Sequence, residues 1–443
     1  MYNYIADKYG KTRLLNIKAF LKLGDANMNN KHLVNKTQSI KLFLILFTVH
    51  AVIYMTKNMF SAAMATIVEE GVMTKSQTGT ISALFWIVYA ISQIIGGFAA
   101  DKYSPSKLII IGLVGGIISN LIIYINHNYW VIVTVWCINA AFQFGLWPGV
   151  FKIVSTQLSK SIRSTAILWI LFSTATGQAL SMLLASIVKR WYYNFIISAI
   201  VLTLALVLWI IGYKKAEKHM VESNDVEYIE SQSDKKHEIK SISIKELSII
   251  SGLPILLMIS LLVQTVNQGV KMVTPLMLTE SYENLSAAIA TRMSVILIIF
   301  SSLGTIVANS VRKYITKNEI KAVILLSTVS ILPLAFSYFV GKLQFFAILA
   351  FLSLAVTLMQ TMIIFTNSFT AIRFERYGRV GMVSGILNAV ASVANFIASY
   401  VFPKLSETMP WNNITILWTI TTICILVSSL CIVRLWTSFI KAN

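Results

Sequence analysis

The stretch LFLILFTVHAVIYMTKNMFSAAMATI, residues 42–67, indicates the fold class, because it is apolar throughout and contains one charged residue, Lys57. A helix needs about 20 predominantly apolar residues to cross the hydrocarbon core of a bilayer. An open strand would leave its backbone polar groups unpaired in lipid, so this segment is predicted to be a transmembrane helix. Eleven further stretches of similar character follow, at approximately 77–100, 107–126, 129–153, 164–188, 192–213, 249–278, 286–310, 320–340, 343–367, 378–402 and 413–436. The sequence therefore predicts an all-α membrane protein with twelve transmembrane helices.

The composition agrees with this prediction and argues against an enzyme. Of the 443 residues, 56% are hydrophobic and only 12% are charged, whereas soluble domains carry about 25% charged residues. The sequence has no phosphate-binding glycine loop, zinc motif or nucleophile motif, and its three cysteines lie in predicted spans without metal-ligand spacing. We therefore expect no catalytic activity, no cofactor and no bound metal.

The net charge of +19 reflects the topology of the chain rather than an affinity for nucleic acid. If both termini are cytoplasmic, 29 of the 37 Lys and Arg residues fall on the cytoplasmic face, six on the opposite face and two within spans. Cytoplasmic loops of membrane proteins carry such an excess of positive charge. We expect a monomeric, multi-pass protein of the cell membrane, surrounded by lipid and without a nucleic-acid partner.

Two polar stretches organise the chain. Residues 1–41 form a basic tail, which could lie on anionic lipid as a short amphipathic helix, stay disordered, or precede a protein that starts at Met28. Residues 214–246 form the longest polar stretch between spans and separate a first bundle, 42–213, from a second, 247–443. Six spans in each bundle are typical of transporters whose halves are related by an axis along the membrane normal.

Two lysines, Lys57 and Lys271, lie inside predicted spans, and no predicted span contains Asp or Glu. A charge at the bilayer centre costs roughly 2.5–3.5 kcal/mol on insertion scales, so such a residue usually has a partner or a function. Each lysine belongs to the first span of its bundle, which predicts a paired, positively charged site for an anion. The alternative is that one or both side chains extend to the membrane interface.

Polar neighbours of both lysines recur with helical periodicity. One face of the first span carries His50, Tyr54, Lys57 and Ser61, and one face of the seventh carries Gln264, Asn267, Gln268, Lys271 and Pro275. We therefore predict that Tyr54, Asn267 and Gln268 bind substrate together with the two lysines.

Two further side chains are candidates. Gln143, four residues after Asn139 on the same face of the fourth span, is predicted to contact substrate, although interhelical hydrogen bonding explains such residues equally well. His50 is the only histidine in a span and titrates nearest neutral pH, which makes it the candidate for proton coupling. The alternative for His50 is a hydrogen-bonded packing residue.

The loop after the second span, Gly97-Phe-Ala-Ala-Asp101-Lys102, resembles the G-x-x-x-D-[RK] signature of the major facilitator superfamily. In that family the motif joins the second and third helices on the cytoplasmic side and controls opening. The resemblance implies a two-bundle facilitator fold, with Asp101 and Lys102 as gating residues.

Within the superfamily the chain is most similar to the organophosphate:phosphate antiporters. The segments TKNMFSAAM (56–64) and VEEG (68–71) resemble that family's R-K-N-F-x-x-A-M-P and V-E-Q-G, and FQFGLWP (142–148) resembles F-Q-G-x-G-W-P-P. In the seventh span, NQGVK (267–271) with TP (274–275) downstream follows R-Y-G and S-P.

The departures from that family fall at its substrate site. Its two phosphate-binding arginines correspond to Thr56 and Asn267, and its central histidine corresponds to Thr174. Its lysine is kept as Lys57, but the aspartate expected near Met272 is absent and Lys271 stands beside that position. The resemblance therefore implies the architecture but not phosphate recognition by paired arginines.

Together these features predict a secondary active transporter of a small organic anion, an organophosphate or a carboxylate, that works by alternating access as an exchanger or proton symporter. Two alternatives remain open. One is a membrane sensor that binds a small anion without moving it, since the antiporter family includes such members. The other is a facilitator-type carrier of a neutral solute.

Overall fold

The computed structural model describes residues 38–222 and 244–442, except 375, 376 and 378. A short helix, Ile244–Ser251, precedes the second half of the chain. The long helices of the described residues are α1 (Gln38–Glu69), α2 (Lys75–Lys102), α3 (Pro105–Ile125), α4 (Tyr129–Phe142 and Leu146–Gln157), α5 (Lys160–Ile187), α6 (Tyr193–Glu222), α7 (Leu253–Ser281), α8 (Ala287–Tyr314), α9 (Glu319–Phe336), α10 (Phe345–Ile363, extended by Ile364–Phe369 and Thr370–Ile372), α11 (Val380–Leu405) and α12 (Trp411–Ala442).

The prediction of an all-α membrane protein with twelve spans is confirmed. Within the described residues, eleven helices are long and apolar enough to cross a membrane, and α2, the remaining one, has 28 residues. The helix α6 runs to Glu222, into the segment predicted as linker. Ala, Glu and Lys are strong helix formers, so the helix continues beyond its apolar run. Residues 1–37 of the predicted tail and 223–243 of the predicted linker lie outside the described residues.

Capping residues define where several helices begin. Thr74 and Gln77 form a reciprocal capping box at the start of α2, which satisfies two backbone N–H groups that have no helical partner. The side chains of Asn128, Ser286 and Asn318 accept N–H groups at the starts of α4, α8 and α9. The turns between helices are therefore specified locally by the sequence.

The fourth helix is interrupted in its middle. Its α-helical pattern gives way to a 3₁₀ turn at Gln143–Gly145, and Pro148 follows three residues later. Because proline has no N–H, the carbonyl of Phe144 loses its helical donor. Gly96 of α2 packs directly on that carbonyl, since a Cβ at this position would lie 1.7 Å from the Phe144 oxygen. The missing side chain of Gly96 thus permits the close approach of α2 and α4.

Most hydrophobic clusters lie within one half of the chain, whereas one joins residues of α1 and α5 to Val295 and Ile298 of α8. One large cluster is built from buried residues of α7–α12 and the short helix before them, and two others come from α1–α6. The halves meet where α2 packs on α11 and where α5 packs on α8. Because α2 and α5 correspond to α8 and α11, these two contacts are related by a pseudo-two-fold axis. On this packing we propose that 42–213 and 247–443 are the two bundles.

The helix ends define two faces of the molecule. The linker face carries the start of α1 and the end of α6, and the closed face carries the end of α1 and the start of α2. At the closed face, Lys75 of α2 donates to Glu280 of α7 at 3.1 Å and to the Ser406 carbonyl, just after α11, at 2.7 Å. The backbone N–H of Ser76 donates to Glu407 at 2.7 Å. These contacts hold α2 of the first half against α7 and α11 of the second.

A related contact holds the first half against α8. Glu69 at the end of α1 accepts the backbone N–H of Ala287 at the start of α8, at 3.0 Å. The equivalent acid of the second half is Glu280 at the end of α7, which pairs with Lys75 at the start of α2. Helix N-termini favour negative charge. Each half therefore provides a carboxylate to the first turn of a helix in the other half.

Candidate substrate cavity

A cavity of about 550 Å³ lies between the two halves. A second cavity, of about 410 Å³, shares part of this lining and continues along α8 and α10 toward the linker face. Small-molecule sites typically enclose about 300–1,000 Å³. The polar lining of the larger cavity is dominated by side-chain amides, those of Gln93, Gln178, Gln264, Asn267, Gln268, Gln360, Asn388 and Asn395.

Lys57 of α1 lies buried in the wall of this cavity, with 5% of its surface exposed. Its Nζ atom is 3.3 Å from the centre of the Tyr89 ring, 4.8 Å from that of Trp86 and 5.0 Å from that of Tyr54. Among the described residues, no carboxylate oxygen pairs with this nitrogen. The side chain packs against aromatic rings inside the bundle and does not extend along its outside.

Lys271 of α7 lines both of these cavities and a smaller one beside Asn58 and Ser61. It is half-buried, and within the described part of the chain it also has no acidic partner. The two lysines therefore contribute two positive charges to one cavity, at corresponding helices of the two halves. A lysine ammonium can pair with a carboxylate or a phosphate as a point charge.

Asn267 is held in place by a helix of the same half. Its Nδ2 donates to Gln360 Oε1 at 3.2 Å, and Ser301 of α8 donates to the same oxygen at 3.4 Å. The Asn267 Oδ1 is buried and has no hydrogen-bond partner in the structure. This oxygen is available to accept a hydrogen bond from a hydroxyl or amine of a bound molecule.

A π-helical segment, Ile364–Phe369, interrupts α10 beside the second cavity. Within it, Asn367 accepts a hydrogen bond from Ser260 of α7 at 2.8 Å. Single π-helical turns inside α-helices often occur at functional sites. The segment turns Asn367 both toward α7 and toward the cavity.

The structure brings together five of the predicted binding residues, Tyr54, Lys57, Asn267, Gln268 and Lys271, in the lining of the larger cavity. Gly177 makes this possible on one side, because a Cβ there would lie 2.4 Å from the Ala51 carbonyl and 2.7 Å from Tyr54 Cβ. The close packing of α5 on α1 places Tyr54 against the cavity.

Gln143 and His50 lie behind the cavity rather than in its lining. Gln143 is buried, donates to Asn139 at 3.2 Å, and its carbonyl accepts from Gln93. His50 is buried against the rings of Tyr54 and Trp147, and its Nδ1 is 2.6 Å from the Ser173 hydroxyl. His50 therefore makes the packing hydrogen bond foreseen as its alternative, whereas the Gln143 side chain donates within its own helix and only its backbone carbonyl is bonded to α2.

The gating prediction falls at the end of α2. The backbone of Asp101 and Lys102 forms the last turn of that helix, whereas their side chains lie outside the described residues. The role of these two residues therefore stays a prediction.

Two lining residues, Trp86 and Tyr89, were missed by sequence reasoning. Both belong to α2 and both face the cavity. A signal was present, because Trp86, Tyr89 and Gln93 recur at helical spacing on one face. Aromatic side chains in a span look like ordinary packing residues until a charge is found beside them.

A cavity between two six-helix halves, closed at one face, defines the class of membrane carriers built from paired helical bundles. The profile of the Major Facilitator Superfamily matches residues 46–399. The chain therefore belongs to the Major Facilitator Superfamily, and it is a multi-pass membrane protein rather than an enzyme.

Curated relatives are similar over a shorter region. The chain is 28% identical over 134 residues to the membrane sensor protein UhpC of Escherichia coli K12, which is 30% of either protein. It is 30% identical over 136 residues to a probable hexose phosphate transport protein of Chlamydia trachomatis, covering 31% of this chain and 29% of that protein. The matched region thus spans under a third of these relatives.

Solved structures resemble the chain over most of its length. A POT family transporter in complex with 5-aminolevulinic acid matches with a TM-score of 0.67 at 13% identity, covering 90% of this chain and 96% of that one. The nucleoside transporter NupG matches with a TM-score of 0.66 at 15% identity, covering 88% and 99%. At these identities the likeness concerns the fold alone.

Proposed function

We propose that the protein is a secondary active transporter of a small organic anion, and that Lys57 and Lys271 form its anion site. The supporting observation is that both lysines line one cavity between the two halves, while no acidic side chain of the described residues pairs with either. An anion in the cavity would provide the countercharge that the described residues do not supply. The similarity to a probable hexose phosphate transport protein favours a phosphorylated sugar as cargo.

The cavity lining supports a cargo with hydroxyl groups. Amide side chains surround the lysines, and the buried Oδ1 of Asn267 lacks a donor. Because lysine is a point charge, it discriminates poorly between carboxylate and phosphate, whereas the amides can select the hydroxyl pattern. We therefore place specificity in the amides and affinity in the lysines.

Transport would follow from rocking of the halves about this cavity. In the present arrangement the contacts of Lys75, Ser76 and Ala287 join the halves at the closed face, and the second cavity extends toward the linker face. An empty cavity with two unpaired lysines should resist reorientation, which favours exchange of one anion for another. The positive-inside distribution of charge supports a cytoplasmic linker face, and we propose the plasma membrane as the location of the protein.

The test is uptake of labelled glycerol-3-phosphate, hexose phosphate and simple carboxylates into proteoliposomes. We expect uptake of at least one of these anions, and its loss in Lys57→Gln. Lys342→Gln, an exposed lysine at the closed face, is the matched control and should retain transport. Equal uptake by all three proteins, or uptake of neutral sugars only, would contradict the proposal.

A second candidate function is that of a sensor, because one of the relatives is a membrane sensor protein. A sensor would bind the anion in the same cavity but would not move it. Thermal-shift binding measured beside proteoliposome uptake separates the two functions. Binding that depends on Lys57 without any counterflow would favour the sensor.

A further inference from the structure

The Lys57 ammonium lies among four aromatic rings. Three of them are the rings of Tyr89, Trp86 and Tyr54. The fourth is the ring of Phe85, whose centre is 5.9 Å from the Lys57 Nζ atom. Three of these rings come from α2 and one from α1, three residues before the lysine. We call Tyr54, Phe85, Trp86 and Tyr89 the aromatic cage. We propose that this cage holds the Lys57 ammonium when the cavity is empty and releases it to an incoming anion, so that Trp86 and Tyr89 are positioning residues of the anion site.

The aromatic cage compensates the positive charge of the buried Lys57 ammonium. A buried ammonium needs compensation, and the described residues offer Lys57 no carboxylate. The faces of aromatic rings carry partial negative charge and attract cations more strongly in a desolvated site. Tyr89, at 3.3 Å, is close enough to act as the principal partner. The cage therefore takes the place that an acidic side chain would otherwise occupy.

The Lys57 ammonium is accessible to an anion in the larger cavity. Tyr54, Lys57, Trp86 and Tyr89 all line the larger cavity, so the caged ammonium is at the wall of the site and not deep in the core. Lysine has a flexible four-carbon chain. An anion can draw the ammonium from the ring faces without breaking a salt bridge inside the protein.

Packing contacts fix the orientation of the rings in the aromatic cage. Gly177 of α5 packs against Tyr54, because a Cβ at this glycine would lie 2.7 Å from the Tyr54 Cβ. The Phe85 ring stacks parallel to that of Tyr89, at 9° and 6.1 Å, and Trp86 meets Tyr89 edge-on. These contacts fix the Tyr89 ring in the orientation that faces Lys57. The cage thus couples α1, α2 and α5 around one positive charge.

The first experiment does not depend on any anion. Thermal unfolding of the detergent-solubilised full chain is measured for Tyr89→Leu, Lys57→Met and the double variant, with Tyr89→Phe as the conservative control. We expect Tyr89→Leu to lower the Tm by several degrees in the native background and much less when Lys57 is already Met. Tyr89→Phe keeps the ring face and should stay near the native Tm. Equal losses for Tyr89→Leu in both backgrounds would overturn the cage.

The second experiment follows release of the ammonium. Trp86 is 4.8 Å from Nζ, so its fluorescence should change when glycerol-3-phosphate or inorganic phosphate draws the lysine away. We expect Trp86→Phe to remove this change, and Trp130→Phe, an exposed tryptophan at the start of α4, to keep it. Anion binding detected by thermal shift without a Trp86 signal would contradict release from the cage.

The proposal rests on the proposed anion site, and the two experiments distinguish their failures. If no anion shifts the Tm of the native protein, the transport proposal and the release step both fail. The double-mutant cycle, in which the Tm values of the Tyr89→Leu, Lys57→Met and double variants are compared, still decides whether the rings hold the lysine. If anions bind but the cycle is additive, the anion site stands and the cage is refuted.

Discussion

At the residue scale, the unusual chemistry lies in Lys57 and Lys271, two buried or half-buried lysines that have no carboxylate partner among the described residues. Their positions in the first and seventh spans were predictable, because a charge in an apolar run is conspicuous in any sequence. The direction in which their side chains point was not predictable from the sequence. Helical periodicity grouped Tyr54 with Lys57 and Asn267 with Lys271, which line one cavity. It could not distinguish cavity from packing for Gln143, which donates to Asn139 of its own helix, or for His50, which is bonded to Ser173 of α5.

Lys271→Gln should weaken anion binding by about tenfold or more. A hydrogen bond to a charged group contributes about 1.5–3 kcal/mol, and about 1.4 kcal/mol corresponds to a factor of ten in affinity. Equilibrium binding of a labelled anion to the purified protein measures the effect. Lys342→Gln is again the control, and a Lys271→Gln protein with native affinity would remove Lys271 from the site.

Asn267→Asp should abolish anion binding. The new carboxylate stands four residues before Lys271 on the same face of α7, where it can pair with the ammonium and repel the substrate. Asn267→Leu, which removes the amide without adding charge, should reduce binding less. The comparison is made by titration of the same labelled anion into all three proteins, and equal effects of Asp and Leu would show that charge is not the cause.

At the element scale, the fold depends on a few close contacts in which a glycine lets one helix pack directly on the backbone of another, as Gly96 does on Phe144 and Gly177 on Ala51. The spans and their caps were readable from apolar runs and from residues such as Thr74 and Ser286. The interruption of α4 was predictable as a bend, because Pro148 removes a backbone donor. The π-helical segment of α10 was not predictable, because it depends on how a neighbouring helix contacts the displaced side chain.

Gly96→Ala should destabilise the protein. Its Cβ would collide with the Phe144 carbonyl, and overpacking of a well-packed core typically costs about 1–3 kcal/mol. The control is Gly385→Ala in α11, where a Cβ would meet no atom within 4 Å. Thermal unfolding should give a lower Tm for Gly96→Ala and a native-like Tm for Gly385→Ala.

Neutralising Glu69 and Glu407 together, each by Gln, should loosen the closed face. A neutral amide is a weaker acceptor for the N–H groups of Ala287 and Ser76 than a carboxylate. A cysteine at Ser61, in a background without the native cysteines, should then react faster with a membrane-impermeant maleimide added from the closed face. The control is Glu283→Gln, which changes an exposed acid of the same face and should leave the labelling rate unchanged. An unchanged labelling rate in the double variant would show that these contacts do not hold the halves together.

At the scale of the whole molecule, the six-plus-six division predicted from the position of a polar stretch stays a proposal, which the clusters confined to α1–α6 or α7–α12 support. Sequence reasoning could count the spans because lipid imposes a length and an apolar composition on each. It could not predict which face is closed, because that depends on side chains from different halves meeting across the molecule.

The exchange mechanism makes a prediction for the intact protein. Uptake into proteoliposomes should be slow when the lumen is empty and at least several-fold faster when the lumen contains the same anion, because the loaded cavity reorients more easily than the doubly positive empty one. Radiolabel counterflow measures the difference. Net uptake at the same rate with and without lumenal anion would contradict exchange.

The reciprocal carboxylates of the closed face bear on how the polypeptide could be divided. Glu69 serves a helix of the second half and Glu280 serves a helix of the first, so a chain cut between α6 and α7 would yield two fragments, each carrying the acceptor that the other one needs. Each fragment alone would lose these contacts, so we expect the pair to reassemble when the two are synthesised together.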